Sequence, residues 1–444
     1  MAHGSAASNG DTPIGDKLVG YTAFKRNNPR SDKFTAHRFH HVEFWTGEAN
    51  MTWRRFSQGL GMTLVAKSDQ STGNHHFASY VVQSHELTFT ITAPYSRTTD
   101  KADSTPPCPW YDQQQACDMI CTHGLFVRAI GVRVEDAAEA YRMATANGGI
   151  GVTEPQTLTD GASGQEMVVS EIQLFGDCLL RFVSGGFQGP YLPGYEAVKG
   201  GPGLSYGLER LDHAVSNVHD LMPAVRYLAG ATGFHEFAEF TAADVGTVDS
   251  GLNSMVLASN NEMVLLPVNE PTFGTKRKSQ IQTYLEQNEG PGLQHLALKT
   301  SDIFRTLKEM RARTDHGGFE FMPRPSQDYY HNLPNKIGPI LTPEQYVAVE
   351  ELGLLVDKDD QGVLLQIFTK PLGDRPTVFI EIIQRLCQVE PEQQTGEPVG
   401  EGAKAAGQAQ QPVEEIGGCG GFGKGNFSEL FKSIEVYETD LGIN

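Results

Sequence analysis

The stretch Gly292-Leu293-Gln294-His295-Leu296-Ala297-Leu298 decides the fold, because it occurs twice in altered form. It is followed by a turn at Ser301-Asp302, a helical run to about Arg313, and Gly317-Gly318. Its counterpart is Gly124-Leu125-Phe126-Val127-Arg128-Ala129-Ile130. That is followed by Glu135-Asp136, a helical run to about Ala146, and Gly148-Gly149. Both read as strand, acidic turn, helix and glycine stop. Matching glycine to glycine sets His295 against Val127.

The duplication extends in both directions. Upstream, Phe39-His40-His41-Val42-Glu43 matches Leu211-Asp212-His213-Ala214-Val215. Helical stretches follow, from Met51 to about Leu60 and from Asp220 to Ala229. Downstream, each half closes on an apolar strand, Leu179-Leu180-Arg181-Phe182-Val183 or Phe379-Ile380-Glu381-Ile382-Ile383. Tandem strand–helix–strand units predict an α+β protein in two halves, each curling a mixed sheet around a cavity. The expected boundaries are a disordered segment over 1–33, halves over 34–186 and 205–388, and a Gly/Pro-rich linker over 187–204. A low-complexity insertion over 389–416 and a lid with a C-terminal helix over 417–444 complete the chain. Phe427, Leu430, Phe431 and Ile434 fall on one face of that helix.

Polar side chains interrupt the apolar strands at three equivalent points: His213, His295 and Glu381. Burying an imidazole or carboxylate is costly unless something compensates it. One shared metal ion would compensate all three. Two histidines and a carboxylate with open positions suit Fe(II), although ligand type alone also admits Zn or Mn. The first half offers His41, Val127 and Arg181 at the same points. With a cation where the carboxylate should be, it reads as a structural or dimer-forming copy.

Composition sets the limits. A net charge of −19 over 444 residues argues against nucleic-acid and anionic-membrane partners. No run reaches the length of a membrane span. The N-terminal stretch lacks an apolar signal core, and Asp11, Asp16 and Asp32 are poor for a transit peptide. The six cysteines form no Cys-x-x-Cys pair and read as thiols in a reducing compartment. Gly418-Cys419-Gly420-Gly421-Phe422-Gly423-Lys424 imitates a phosphate-binding loop. Gly425 stands where a Ser or Thr would be needed, so it reads as a hinge before a mobile lid. Lys276-Arg277-Lys278 reads as a solvated basic turn.

Around the triad lie uncharged polar residues on strand-like runs. Ser254, Asn269 and Gln280 form one group, and Gln294 and Gln366 another. As a set they suggest a pocket that hydrogen-bonds a polar substrate. Phe368, Phe379, Phe422 and Phe427 could wall it.

Several segments closely resemble the 4-hydroxyphenylpyruvate dioxygenase family. They are Gly251-Leu252-Asn253-Ser254, Lys276 to Leu285, Gly292 to Ala297, Phe379 to Arg385 and Gly420 to Phe427. The resemblance covers roughly Phe34 to Tyr437 and looks closest to the plant and algal branch. It implies two tandem vicinal oxygen chelate domains of βαβββ modules with a C-terminal gating helix. It implies Fe(II) on His213, His295 and Glu381, and a pocket that also includes Asn426. The implied reaction turns 4-hydroxyphenylpyruvate and O₂ into homogentisate and CO₂ in tyrosine catabolism, with links to plastoquinone and tocopherol synthesis. A homodimer is implied, in the cytoplasm or alternatively in a plastid. The rival readings are 4-hydroxymandelate synthase, with the same iron and substrate, and a non-catalytic ligand-binding protein of the same fold.

Overall fold

The computed structural model describes residues 14–15, 17–98, 106–200, 203–246, 250–387 and 417–443. The insertion expected over 389–416 lies outside the described residues. The first half contains β1 (Ala36–Trp45), α1 (Ala49–Leu60), β2 (Thr63–Ser68), β3 (Phe77–Ser84), β4 (Leu87–Pro94) and α2 (Gln113–His123). It continues with β5 (Phe126–Val134), α3 (Ala137–Ala146), β6 (Gly151–Thr159), β7 (Glu166–Phe175), β8 (Cys178–Gly185) and the short β9 (Glu196–Ala197). The second half contains β10 (Leu208–Asn217), α4 (Leu221–Thr232), β11 (His235–Phe240), α5 (Ala242–Val245), β12 (Leu252–Ala258) and β13 (Leu265–Pro271). Then come α6 (Gln280–Gln287), β14 (Gly292–Thr300), α7 (Ile303–Arg311), α8 (Gln327–Ile337), α9 (Pro343–Leu352), β15 (Leu355–Lys358), β16 (Gly362–Phe368), β17 (Phe379–Cys387) and α10 (Phe427–Asp440).

The two sheets repeat one topology. The first runs β6-β7-β8-β5-β1-β4-β3-β2-β9, and the second runs β15-β16-β17-β14-β10-β13-β12-β11 in the same sense. Strand for strand they agree, with β9 added at one edge. In each half two βαβββ modules meet along an antiparallel seam, β1 on β5 or β10 on β14. Each module closes with a parallel pair, as in β5 on β8 and β14 on β17. The acidic turns are helix caps. Asp136 Oδ1 accepts the Ala138 and Glu139 amides at 2.9 and 3.1 Å, and Asp302 Oδ1 accepts the Arg305 amide at 3.0 Å. Gly148 and Gly317 both take positive φ, 92° and 88°, where a side chain would be strained.

One apolar core spans both halves. Phe44, Phe56 and Phe89 pack edge to face within it, and Phe56 meets Phe319 of the second half at 5.5 Å. No helix among the described residues is long and apolar enough to cross a membrane.

The register corrects one sequence match. His295 lies opposite Val215, and Ala129 lies opposite Glu43 in the matching seam. The first-half counterpart of His295 is therefore Ala129 and not Val127. Gly292 opens β14 itself, whereas Gly124-Leu125 precedes β5, so aligning the two Gly-Leu pairs displaced the match by two residues. Arg181 pairs with Gly131 as Glu381 pairs with Ala297, so that match holds.

Two expected boundaries and the reading of the cysteines also differ. Residues 17–33 do not form a free tail. Tyr21 stacks on Phe240 at 5.5 Å, Arg26 covers the Phe237 ring and pairs with Glu262, and Asn28 donates to the Asn260 carbonyl at 2.8 Å. These contacts are polar or single-ringed, so no apolar period announced them. The linker region buries Tyr191, Leu192 and Tyr195 and carries β9. Cys387 and Cys419 are paired as a disulfide with Cα atoms 5.7 Å apart, not left as thiols; the long stretch between them hid the pairing.

Arg181 should be the most sensitive polar residue of the first half. It is buried between Glu43 and Glu171 at 2.6 and 2.7 Å. Arg181→Met should cost about 3–5 kcal/mol in chemical denaturation, because two buried carboxylates lose their cation. An unchanged midpoint would refute that. Alkylation in denaturant without reductant should label four of the six cysteines, Cys108, Cys117, Cys121 and Cys178. Labelling of all six would show that Cys387 and Cys419 are a dithiol.

Candidate metal centre

Three neighbouring strands at the middle of the second sheet, β10, β14 and β17, carry the candidate ligands. His213 and Glu381 both lie opposite Ala297, and His295 stands two residues before Ala297 on the same face. All three side chains therefore point into the curl. His213, His295 and Glu381 are 3%, 8% and 2% exposed, and one ligand atom from each lies within 4.8 Å of the others. Glu381 Oε2 is 3.3 Å from Nε2 of each histidine.

The neighbour of each histidine fixes its ring. Asp212 and Gln294 both sit at register shifts in the β10–β14 seam. A bulge turns a side chain that would otherwise face away toward its neighbour's side. Asp212 Oδ1 lies 2.8 Å from His213 Nδ1, and Gln294 Oε1 lies 2.9 Å from His295 Nδ1. With Nδ1 engaged, Nε2 of both rings is turned toward Glu381, the side from which a bound cation would be ligated. Asp212 is itself gripped by Arg385 at 2.8 and 3.0 Å. Gln366 Nε2 donates to the other oxygen of Glu381 at 2.9 Å, and Asn426 Nδ2 donates to Gln366 Oε1 at 3.0 Å. Tyr329 Oη donates to Asn426 Oδ1 at 3.1 Å.

Electrostatics favours the anionic carboxylate. Burial alone raises the Glu381 pKa, but hydrogen bonds from His213 and His295 outweigh it and hold the group at about 2. Burial likewise opposes the charge on Asp212, and Arg385 overrides it, keeping Asp212 well below the usual carboxylate range. Burial depresses His213, but Asp212 and Glu381 leave it raised on balance. Burial wins at His295, which is lowered. Two imidazoles and a fixed carboxylate with one inward-facing nitrogen or oxygen each form a donor set that fits a divalent cation.

A cavity opens directly on this group. All thirteen residues singled out from the sequence line it: the three ligands, Ser254, Asn269, Gln280, Gln294, Gln366, Phe368, Phe379, Phe422, Asn426 and Phe427. Phe379 stacks on His295 with centroids 5.0 Å apart, and Phe422 meets the His213 ring edge-on at 5.1 Å. Phe427, Leu430, Phe431 and Ile434 line the far wall, so the apolar face of α10 is the roof of the cavity. Sequence reasoning missed Asp212, Arg385 and Tyr329. Asp212 and Arg385 did leave a trace, as opposite charges inside otherwise apolar strands.

Fold and site together define a vicinal oxygen chelate protein with a metal-competent centre. The Glyoxalase/Bleomycin resistance protein/Dioxygenase superfamily profile matches residues 210–346, which contain two of the three ligands. A solved variant of 4-hydroxymandelate synthase from Streptomyces coelicolor shares the fold, with TM-score 0.68 at 18% identity over 91% of this chain and 99% of that one. Full-length relatives go further. The 4-hydroxyphenylpyruvate dioxygenase of Daucus carota is 56% identical over 442 residues, 98% of this chain and 95% of the relative. That of Arabidopsis thaliana is 55% identical over 96% of this chain and 94% of the relative, and that of Neurospora crassa is 33% identical over 91% and 92%. The chain belongs to the 4-hydroxyphenylpyruvate dioxygenase family.

Two substitutions separate holding the metal from orienting its ligands. Glu381→Ala should abolish stoichiometric metal retention after dialysis. Asp212→Asn should weaken metal affinity by ~10–100-fold through the freed imidazole. Calorimetric metal titration checks both, and an unchanged affinity in Asp212→Asn would show that Asp212 does not orient the His213 ring for the metal.

Proposed function

We infer that this chain is a dioxygenase that converts 4-hydroxyphenylpyruvate and O₂ to homogentisate and CO₂, a step of tyrosine catabolism, with Fe(II) on His213, His295 and Glu381. One observation carries the substrate class. The cavity above the metal donors has apolar and aromatic walls and neutral polar groups, and no Lys or Arg among its lining residues. An organic acid entering it finds no protein cation, so its carboxylate must be compensated by the bound metal. A 2-keto acid has a second oxygen placed for the same metal. Bound at these three ligands, Fe(II) supplies open positions at which the keto acid and O₂ are activated, coupling decarboxylation to oxygen transfer.

The chain's own side chains do the rest. Asp212 and Gln294 hold the two imidazoles in the tautomer that presents Nε2. Gln366 fixes the Glu381 carboxylate and is in turn held by Asn426, next to the roof. Ser254, Asn269 and Gln280 present hydroxyl and amide groups that orient the polar end of the substrate. Phe368 and Phe379 hold the ring flat. Phe422 and Phe427 exclude water from the space above the three metal donors.

The roof must move. The cavity holds about 50 Å³, far below the 300–1,000 Å³ usual for ligand pockets. A substrate of aromatic-acid size requires α10 and the Gly-rich turn before it to lift. Gly423 is the hinge residue best placed for this, with positive φ and no room for a side chain beside Gln366. We also propose a homodimer, and a cytoplasmic setting with a plastid as the alternative. Both rest on the full-length likeness to the plant relatives.

The test is anaerobic loading with Fe(II), addition of 4-hydroxyphenylpyruvate and O₂, and chromatographic identification of the product. Homogentisate formed with one CO₂ per O₂ consumed is expected. 4-Hydroxymandelate as the main product would overturn the assignment in favour of the benzylic hydroxylase. Iron-independent inertness toward O₂ would overturn both.

A further inference from the structure

The first half has kept a cavity of its own. It measures about 350 Å³, within the range of ligand pockets, and lies inside the curl of the first sheet where the catalytic cavity lies in the second. Its floor is closed by Arg181, whose guanidinium reaches His41 Nε2 at 3.0 Å besides Glu43 and Glu171. Glu43 and Glu171 are thus engaged, the third lining carboxylate, Glu154, is exposed to solvent, and no metal ligand set remains among the described residues.

The second cation lining this cavity makes no ion pair among the described residues. Arg128 sits in the β1–β5 seam at the same register shift as Gln294 in the β10–β14 seam, so the bulge turns it inward. It is buried, at 5% exposure. Its one hydrogen bond among the described residues goes to the Asp177 carbonyl at 2.5 Å, and no carboxylate there comes within ion-pairing distance. Burial lowers its pKa and outweighs the opposing field of Glu171, Asp177 and Glu43. Its guanidinium lies over the Trp45 ring at 4.9 Å. Trp45 and Tyr111 also line the cavity, and among the described residues neither the indole N–H nor the phenol O–H has a partner. Gln115 stands at the mouth on the helix before β5, much as Gln280 stands on the helix before β14. Phe77 and Trp110 complete an aromatic wall.

We propose that this first-half cavity is a second binding site, for a small aromatic carboxylate, with Arg128 taking the carboxylate and the Trp45–Phe77–Tyr111 wall taking the ring. A buried guanidinium with free N–H groups takes a planar oxyanion in preference to a neutral group. The aromatic walls select a flat ring over an aliphatic chain. The catalytic half binds acids through its metal, and the first half binds them through Arg128, without turnover.

The tryptophans make the site testable by itself. All three in the chain, Trp45, Trp53 and Trp110, lie in the first half, and two of them line this cavity. The probe is 4-hydroxyphenylacetate, which lacks the 2-keto acid. Titrated anaerobically into the metal-loaded full-length protein, it should quench tryptophan fluorescence saturably. Arg128→Met should raise the Kd about tenfold or more, the value of a charge-assisted hydrogen bond, with KM and kcat for the keto acid unchanged. Gln115→Glu, at an exposed position that cannot threaten folding, should weaken the probe by placing a carboxylate at the mouth. No saturable quenching, or quenching that neither variant alters, would overturn the proposal. So would loss of the quenching when a metal-chelating inhibitor fills the catalytic cavity. Because the readout is local to the first half, failure of this test would leave the catalytic assignment standing.

Discussion

A sheet that curls around a cavity must compensate any charge placed at the centre of its concave face, and in this protein both sheets meet that constraint with a positive centre. In the second half, His213, His295 and Glu381 converge on a point where a metal ion could be held against the buried carboxylate. In the first half, the Arg181 guanidinium stands at the register position of Glu381 and binds His41, Glu43 and Glu171. A metal ion keeps open positions for exogenous ligands. A guanidinium surrounded by protein acceptors keeps none, so the same architecture serves chemistry in one half and stability in the other.

The second requirement is local. Strand alternation lets only one of two adjacent residues face the cavity, yet a histidine ligand needs an orienting partner close by. Bulges at Asp212 and Gln294 satisfy this need from the neighbouring position in the chain. The first half retains the same bulges at His40 and Arg128. There His40 Nδ1 still meets His41 Nδ1 at 2.8 Å, with no metal to orient. Burial, together with His40 and Arg181, keeps His41 well below the usual imidazole range. The bulges therefore belong to the duplicated fold, and the residues placed on them decide what each half does.

Much of this was legible in the sequence because it rests on periodicity. Apolar alternation located β10, β14 and β17, and the interruptions at His213, His295 and Glu381 marked the centre. The i, i+3, i+4, i+7 face of α10 located the roof. What escaped had no period. The two Gly-Leu pairs are not equivalent, because Gly292 pairs with Asn217 whereas Phe126 pairs with Trp45, which is why Val127 stood in for Ala129. Residues 17–33 attach through hydrogen bonds and single rings. The Cys387–Cys419 pair is separated by a long polar stretch. Helices α8 and α9 are inserted only in the second half, so comparison of the halves gave no template for them, although Ser326 and Thr342 cap them in the usual way. Tyr329, which braces Asn426, went unnoticed with them.

Arg385 connects these layers. Its guanidinium grips Asp212 by two hydrogen bonds, and Asp212 orients His213. The same guanidinium donates to the Cys419 and Gly421 carbonyls at 2.7 and 2.6 Å, and those residues begin the turn that carries Phe422 over the metal face. The Cys387–Cys419 bond fastens that turn to the end of the strand that bears Glu381. The root of the lid and the orientation of a ligand thus depend on one buried cation. If the whole turn lifted from its root, Arg385 would lose two acceptors and Asp212 its fixed partner, disturbing His213 at each opening. With the root held by Arg385 and the disulfide, the opening proposed above would be confined to the segment beyond Gly421. On that proposal the lid would open for substrate while the ligand set stays assembled beneath it.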